Sequence, residues 1–253
     1  MKVKTSAQSN GTNRGQCELP AELKAVVFDV DGTLYDLEGI RKALWIRFLR
    51  CYWYRPIRMR RVMRAVRAYG LAPESLRSSP PQGLDLEEAH LECARRACGL
   101  PRDFVLESAR QWLVEEPLAF ISNFRHEGVH DVLSELAGKG VRLGVFSDYP
   151  PSAKLRAMLI ESFFETVVSA QDFEVQCFKP DLLGIQVTLK RMGIAANQAL
   201  YVGDRPEIDG VAAERAGVAF RSIGDTRTNG ATSFRELGNV ILSHLGKSPL
   251  TRI

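Results

Sequence analysis

The chain alternates short, almost continuously apolar runs with longer segments in which apolar residues recur every three or four positions. Continuous apolar runs are typical of β-strands covered on both faces, and the longer spacing is typical of amphipathic helices. Glycine follows the end of several helical segments, where it often forms the C-cap. We predict strands at 24–29, 141–147, 166–169, 199–203 and 218–222, with helices between them at 127–138, 152–160, 181–192 and 207–216.

This order of elements predicts an α/β fold with a doubly wound (Rossmann-like) parallel sheet, because strand–helix–strand units join parallel strands by right-handed crossovers. One interval departs from the alternation. From about Leu37 to Leu118 the pattern is helical throughout, which predicts an inserted all-helical cap. The predicted parts of the chain are a disordered N-terminal tail at 1–21, an α/β core at 22–36 and 119–246, the helical cap at 37–118 and a C-terminal tail at 247–253.

Two features are predicted inside the cap. Helical spacing places most of the aromatic residues of the first cap helix on one face with Leu44 and Leu49, so they are expected to pack in the interior. These aromatic residues are Trp45, Tyr52, Trp53 and Tyr54. A polar, proline-bearing segment at 73–83 is predicted to be the link that leads to the third cap helix.

Polar residues that are unusual beside buried strands lie at the ends of the predicted strands. In an open parallel sheet, ligands bind outside the carboxyl ends of the strands, so these residues are expected to lie close together. They are Asp29, Asp31 and Gly32 after the first strand, Ser147 after the second, Lys179 before the fourth, and Asp204 and Asp209 after the fourth.

Phosphoryl transfer through an aspartyl phosphate needs this combination of residue types. Clustered carboxylates repel one another unless a hard cation such as Mg²⁺, which prefers oxygen ligands, lies among them. A second acid beside the nucleophile can protonate the leaving oxygen and later activate water. Lys179 is expected to neutralise charge rather than to pack, and the substrate phosphate is predicted to bind at Ser147, Gly32 and Lys179.

The order of these residues resembles the four motifs of the haloacid dehalogenase (HAD) superfamily, and the resemblance spans residues 24 to 222. The matching residues are Asp29-Val30-Asp31-Gly32-Thr33, then Ser147, then Lys179-Pro180, then Gly203-Asp204 and Asp209. The phosphatase branch with a helical (C1-type) cap is indicated. The resemblance implies Asp29 as nucleophile and Asp31 as general acid and base. It also implies Mg²⁺ bound by the carboxylates of Asp29 and Asp204 and the backbone carbonyl of Asp31, with Asp209 supporting the site.

One position departs from the family pattern. Asp148 follows Ser147, where many members of the superfamily carry asparagine. A carboxylate beside a bound phosphate would repel it, so Asp148 is expected to point away from the phosphate or to alter the choice of substrate.

The favoured function is a Mg²⁺-dependent phosphatase that hydrolyses a small phosphorylated metabolite through an aspartyl-phosphate intermediate, under a mobile helical cap. Two alternatives remain open. A phosphomutase of the same superfamily would use the same intermediate but return the phosphoryl group to a substrate. A catalytically weak binding or regulatory module would keep the fold without turnover.

Charge is unevenly distributed along the chain. The formal net charge is +4, yet the chain has no acidic residue between Glu38 and Glu74 and ten basic ones, six from Arg55 to Arg67. A solvated face of the second cap helix is the favoured interpretation. The alternatives are recruitment of an anionic substrate, contact with nucleic acid and binding to an anionic membrane surface. A nucleic-acid partner is not expected.

The sequence predicts neither a transmembrane helix nor a secretory signal. No apolar run approaches the ~20 residues of a transmembrane helix, and residues 1–20 have no apolar block. The five cysteines are scattered without a close pair, which favours reduced thiols. We therefore predict a cytoplasmic protein, and the sequence gives no prediction of its oligomeric state.

Overall fold

The structure is a computed structural model that describes residues 18–78, 85–224 and 233–247. Most of the predicted N-terminal tail, residues 79–83 of the predicted link and most of the predicted C-terminal tail lie outside the described residues. Among the helices of the described part, none is long and apolar enough to cross a bilayer.

Five parallel strands form one sheet in the order β3-β2-β1-β4-β5. They are β1 (Ala25–Phe28), β2 (Arg142–Ser147), β3 (Thr166–Ser169), β4 (Ala199–Gly203) and β5 (Ala219–Ser222). The central strand β1 is buried along its whole length, and Phe28 pairs with Val145 on one side and Val202 on the other. The predicted α/β fold and its parallel sheet are confirmed. Because the strand order reverses at β1, ligands are expected to bind at the carboxyl ends of β1 and β4.

Ten α-helices lie in the described part of the chain. Six of them lie between β1 and β2. They are α1 (Leu37–Tyr52), α2 (Pro56–Ser78), α3 (Leu86–Cys98), α4 (Arg102–Ala109), α5 (Glu116–Leu118) and α6 (Val129–Gly138). The remaining helices are α7 (Ser152–Ala157), α8 (Leu183–Met192), α9 (Val211–Arg215) and α10 (Phe234–Lys247). Two π-helical turns, Arg110–Glu115 and Pro206–Gly210, precede α5 and α9. We propose the division into core and cap that the sequence predicts, with α1–α5 as the cap.

Helix α2 continues through Pro73 to Ser78, so the prediction of a link that begins at residue 73 is wrong. Proline has no N–H, and the carbonyl of Tyr69, four residues earlier, therefore lacks its usual helical donor. The His90 imidazole supplies the missing hydrogen, because its Nε2 lies 2.8 Å from that carbonyl oxygen. A hydrogen bond from the neighbouring helix α3 thus allows α2 to pass the proline.

The prediction that most of the cap aromatic residues are packed is also wrong. Phe48 and Tyr52 face inward, and the Phe48 ring lies 4.8 Å from the ring of Trp112. Since this face of α1 is occupied, the neighbouring residues of the helix and its following turn point to solvent. These exposed residues are Trp45, Leu49, Trp53 and Tyr54.

The cap contacts the core at the carboxyl end of the sheet. Leu86, the first residue of α3, is buried in the same apolar cluster as Phe146 of β2, and its amide donates to the Gln176 side chain at 2.7 Å. The His90 ring lies 5.7 Å from the ring of Phe178. The cap is therefore packed on the core directly above the polar strand ends.

Candidate active site

Asp29, the first residue after β1, is buried at the carboxyl end of the sheet. Its amide donates to the carbonyl of Val202 at 2.8 Å, which extends the strand pairing by one residue. The Lys179 ammonium lies 2.5 Å from Oδ1 of Asp29, and the Thr33 hydroxyl donates to Oδ2 at 3.1 Å. Each oxygen of the Asp29 carboxylate therefore accepts a hydrogen bond that fixes its position.

Lys179 is fully buried and contacts three side chains through its Nζ atom. Besides Asp29, the ammonium donates to Oδ1 of Asp209 at 2.7 Å and to the Tyr201 hydroxyl oxygen at 3.3 Å. Burial alone would lower the pKa of Lys179, but the charges of Asp209 and Asp29 outweigh it and hold the pKa well above its usual value. Lys179 is among the largest fully buried side chains, so the expectation that it has no packing role is wrong.

Three carboxylates form one cluster beside this lysine. Oxygens of Asp29, Asp204 and Asp209 all lie within 4.8 Å of one another. Burial, with the charge of Asp209 adding to it, raises the pKa of Asp204 to about 6. Burial likewise raises the pKa of Asp29 to about 7, although Lys179 opposes the rise. One ammonium among three carboxylates leaves excess negative charge in a buried site.

The cluster fits a hard divalent cation. Oδ1 of Asp204 is buried and has no hydrogen-bond partner among the described residues, although Nε of Arg205 lies 3.8 Å away. Gly32 adopts a φ of +90°, and a Cβ atom there would lie 2.2 Å from Oδ2 of Asp204. A side chain at position 32 would therefore displace this carboxylate. An oxygen-only ligand set with one unsatisfied carboxylate oxygen is the kind that Mg²⁺ prefers.

The side chain of Asp31 has different partners. Nζ of Lys154 and the Tyr35 hydroxyl both lie 2.5 Å from its Oδ1. Burial by itself would raise the pKa of Asp31, but Lys154 and Tyr35 together hold it below its usual value. Its carboxyl group is therefore ionised in this arrangement, and it is more accessible than that of Asp29.

Ser147 ends β2 at the same edge of the sheet and is buried. Its Oγ accepts a hydrogen bond from the amide of Tyr149 at 3.4 Å. The structure thus groups the carboxylates of Asp29, Asp204 and Asp209, with the Lys179 ammonium on Asp29 and Asp209 and with Gly32 against Asp204. Asp31 and Ser147 flank that cluster with partners of their own.

Asp148 points toward the cap and the backbone of Lys179. Its Oδ1 accepts from the Lys179 amide at 3.0 Å, and its Oδ2 accepts from Nη2 of Arg77 at 2.7 Å. Arg77, in the last turns of α2, also donates from Nε to the Lys179 carbonyl at 2.6 Å. The peptide groups on both sides of Lys179 are thus fixed by this pair, and Arg77 neutralises the carboxylate that follows Ser147.

Three contacts of the site were not predicted from the sequence. Arg77 lies in a segment that was predicted to be a link, so no motif marked it. Lys154 lies in the predicted helix after Ser147. A basic residue beside a predicted phosphate site is the signal that could have identified it. Tyr35 follows Asp31 by four residues, but the turn that directs its hydroxyl to Asp31 has no sequence signature.

Comparisons with known proteins point to one family. Residues 23–217 match the haloacid dehalogenase-like hydrolase family. A phosphoglycolate phosphatase from Rhodospirillum rubrum is 32% identical over 210 residues, which cover 77% of this chain and 77% of that protein. A glyceraldehyde 3-phosphate phosphatase from Methanocaldococcus jannaschii is 38% identical over 80 residues, which cover 30% of this chain and 34% of that protein. The HAD-hydrolase YfnB from Bacillus subtilis, solved with bound magnesium, is similar in fold, with a TM-score of 0.60 at 15% identity over 87% of this chain and 99% of that one.

Proposed function

Because the chain belongs to the haloacid dehalogenase-like hydrolase family, we propose that it is a Mg²⁺-dependent phosphatase of a small phosphorylated metabolite that works through an aspartyl-phosphate intermediate. The resemblance predicted from the motifs is confirmed, and the chain is a phosphoric monoester hydrolase of this family. The observation that carries the finer proposal is the buried contact of Asp29 with Lys179 inside the cluster of three carboxylates.

Asp29 is the proposed nucleophile. Lys179 holds one of its oxygens and Thr33 the other, so the carboxylate is oriented before substrate binds. A carboxylate oxygen attacks phosphorus, a bond forms between them, and the bond from phosphorus to the ester oxygen breaks. Water then attacks the phosphoaspartate, and inorganic phosphate leaves with the carboxylate restored.

Asp204 and Asp29 are the proposed carboxylate ligands of Mg²⁺, with the backbone carbonyl of Asp31 as a further ligand and Asp209 in support. When bound, Mg²⁺ supplies positive charge that offsets the carboxylates and the transferring phosphoryl group. The Lys179 ammonium contributes a second positive charge beside the nucleophilic Asp29 carboxylate. Gly32 leaves room for the Asp204 carboxylate, and Ser147 is proposed to hold a phosphate oxygen.

Asp31 is the proposed proton carrier. It must hold a proton to protonate the leaving oxygen, and its ion pair with Lys154 opposes that state. We propose that the incoming phosphate draws Lys154 away from Asp31, which raises the affinity of Asp31 for a proton. The proton moves to the leaving oxygen in the first step and returns from the attacking water in the second.

A screen for released phosphate tests this function. Substrates named by the relatives, phosphoglycolate and glyceraldehyde 3-phosphate, would be assayed beside a generic phosphate ester, with Mg²⁺ and with excess chelator. We expect turnover only with Mg²⁺ and none from Asp29→Asn. Full turnover in chelator would overturn the metal assignment. Formation of a phosphorylated isomer without phosphate release would assign the phosphomutase alternative, and no turnover of any ester would assign the binding module.

Location in the cytoplasm stays a prediction.

Replacement of Asp31 by asparagine separates the two steps. An ester with a good leaving group hardly needs the acid, but hydrolysis of the phosphoaspartate still needs the base. We expect Asp31→Asn to release a burst of about one equivalent of alcohol per enzyme, followed by slow turnover, because the covalent intermediate accumulates. A rapid-mixing assay measures the burst. Wild-type turnover without a burst in a folded variant would remove Asp31 from the mechanism.

A further inference from the structure

The end of helix α2 that is opposite Arg77, together with the adjoining part of α1, exposes several large apolar side chains. This cap tip comprises the second half of α1, the turn after it and the first turns of α2, residues 45–61. Trp53 and Ile57 are each 77% exposed and Tyr54 is 57% exposed. Trp45, Ile46 and Leu49 are exposed on the adjoining face of α1. The cap tip therefore exposes six large aromatic and aliphatic side chains within thirteen positions of the sequence.

Basic residues surround these apolar side chains, and the sequence places no acidic residue among residues 39–73. The exposed arginines of the cap tip are Arg47, Arg50, Arg55, Arg58, Arg60 and Arg61. Arg47 is paired with Glu116. The guanidinium of Arg55 lies over the Tyr54 ring, 5.0 Å from its centroid, and that of Arg61 lies over Phe104 at 4.8 Å. A groove of about 670 Å³ runs between Tyr54, Ile57, Arg58 and Phe104.

The cap tip is remote from the candidate active site. Helix α2 rises by about 1.5 Å per residue, so about 30 Å separates Ile57 from Arg77 along its axis. Arg77 lies beside Lys179, which places the site at the other end of the helix. A partner bound at the cap tip would therefore leave the carboxylate cluster free, and the inference below does not depend on the proposed function.

The chemistry of the cap tip identifies its partner as anionic and partly apolar. Unpaired arginines attract negative charge, and exposed Trp and Tyr side chains are typical of membrane–water interfaces. Nucleic acid also attracts arginine and stacks on aromatic rings, but it offers no apolar layer for Ile46, Leu49 and Ile57. The headgroup region of an anionic bilayer accommodates both kinds of side chain. We propose that the cap tip docks on the surface of anionic lipid bilayers, with Trp53 and Ile57 inserted and the arginines on the lipid phosphates.

Flotation with lipid vesicles tests the proposal on the full chain. Vesicles of phosphatidylcholine alone would be compared with vesicles that contain about a third phosphatidylserine. We expect binding to the anionic vesicles and little to the neutral ones. Arg55→Ser with Arg58→Ser should weaken that binding, on the order of fivefold for each arginine. Trp53→Ser with Ile57→Ser should weaken it comparably, and Trp53→Ser should remove most of the vesicle-induced blue shift of tryptophan emission.

Matched controls on the core make the result specific. Phe173→Ser removes a 95% exposed aromatic ring, and Arg142→Ser with Arg156→Ser removes two exposed arginines. These variants should bind vesicles like the wild type, and the far-ultraviolet circular dichroism spectrum should verify that every variant is folded. No binding to anionic vesicles, equal binding to neutral ones, or equal losses in the controls would overturn the proposal. Binding to a single-stranded oligonucleotide instead, lost in the cap-tip variants, would assign the surface to nucleic acid.

Discussion

Lys179 combines a chemical and a structural role in one side chain. Its ammonium is buried between Asp29 and Asp209, and its backbone is held by Asp148 and Arg77. Removing a charged partner from a buried pair is strongly destabilising, because the remaining charges have no compensation. Both the activity and the stability of a Lys179 variant must therefore be measured to separate the two roles.

We expect Lys179→Ala to lower kcat by about 10²–10³, because a preorganised charge on the nucleophile is lost. The same variant should lose about 3–5 kcal/mol of unfolding free energy in the absence of Mg²⁺, because Asp29 and Asp209 stay buried and unpaired. Initial-rate assays and urea unfolding measure the two effects. Tyr201→Phe is the matched control and should change both far less, because it leaves every charge in place. It removes the 3.3 Å contact to the ammonium and the hydrogen bond that the hydroxyl donates to the Phe146 carbonyl. Wild-type stability of Lys179→Ala would show that the buried ion pairs do not support the fold.

At the scale of residues, the sequence predicted the members of the carboxylate cluster because each stands in a short motif directly after a strand. It did not predict Arg77 or Lys154. Their partners are 71 and 123 positions away in the chain, and such contacts depend on how the cap and the sheet pack. Local pattern carries no information about a pairing of that kind.

Helices α2 and α3 are joined through the Tyr69 carbonyl. The proline four residues later cannot donate to this carbonyl, so His90 does. His90 is fully buried, and its Nδ1 has no hydrogen-bond partner among the described residues. A carbonyl accepts only, so the neutral imidazole carries its proton on Nε2.

A double-mutant cycle tests this helix-to-helix bond. His90→Phe should lower the unfolding free energy by about 1–3 kcal/mol, because the Tyr69 carbonyl loses its donor. In a Pro73→Ala background, residue 73 regains an N–H that can donate to the same carbonyl. The loss caused by His90→Phe should then be smaller by about 1 kcal/mol. Equal losses in both backgrounds, measured by urea unfolding, would contradict the proposed exchange of donors.

The same histidine should make stability depend on pH. Burial lowers the pKa of His90 below its usual value, so the folded protein binds fewer protons there than the unfolded chain. The contribution of His90 to the unfolding free energy is therefore constant above about pH 6.5, the ordinary pKa of histidine, and falls as the pH drops below it. Urea titrations between about pH 5 and 8 should show this fall in the wild type relative to His90→Phe. A difference between the two proteins that does not vary with pH would contradict it.

At the scale of elements, the strands were predictable because buried parallel strands are continuously apolar. The observed strands coincide with the predicted ones to within one or two residues at each end. The course of α2 was not predictable, because its passage through Pro73 rests on a histidine from another helix. The exposed face of α1 was not predictable either, because the face that is covered is the one that packs on Trp112, a residue 60 positions after Tyr52 in the chain.

At the scale of the whole molecule, Arg77 and Asp148 form an ion pair between the cap and the core beside the site. Their side chains are only 13% and 6% exposed, and Arg77 belongs to the cap while Asp148 belongs to the core. Arg205 lies 3.6 Å from the same Asp148 oxygen. Arg77 also donates to the Lys179 carbonyl, so the pair links α2 to the segment that carries Lys179.

We expect Arg77→Met to lower the unfolding free energy by about 3 kcal/mol, because Asp148 stays buried without its main partner. Asp148→Asn should also be destabilising, and the double variant should lose about 0.5–3 kcal/mol less than the sum of the two. Arg67→Met, at an exposed arginine of the same helix, should change stability by about 0.5 kcal/mol or less. Urea unfolding of the four proteins measures the coupling, and additive effects would show that the pair is not coupled.

The position of Asp148 also limits how such proteins can diverge by recombination. A chimaera that receives a different helical insert loses Arg77 but keeps a mostly buried carboxylate beside the Lys179 amide. That carboxylate would then destabilise the recombinant and misplace the lysine, unless position 148 became uncharged in the same event. Selection for folded chimaeras should therefore enrich asparagine at position 148. In this chain the insert and the core are not interchangeable modules but a matched pair.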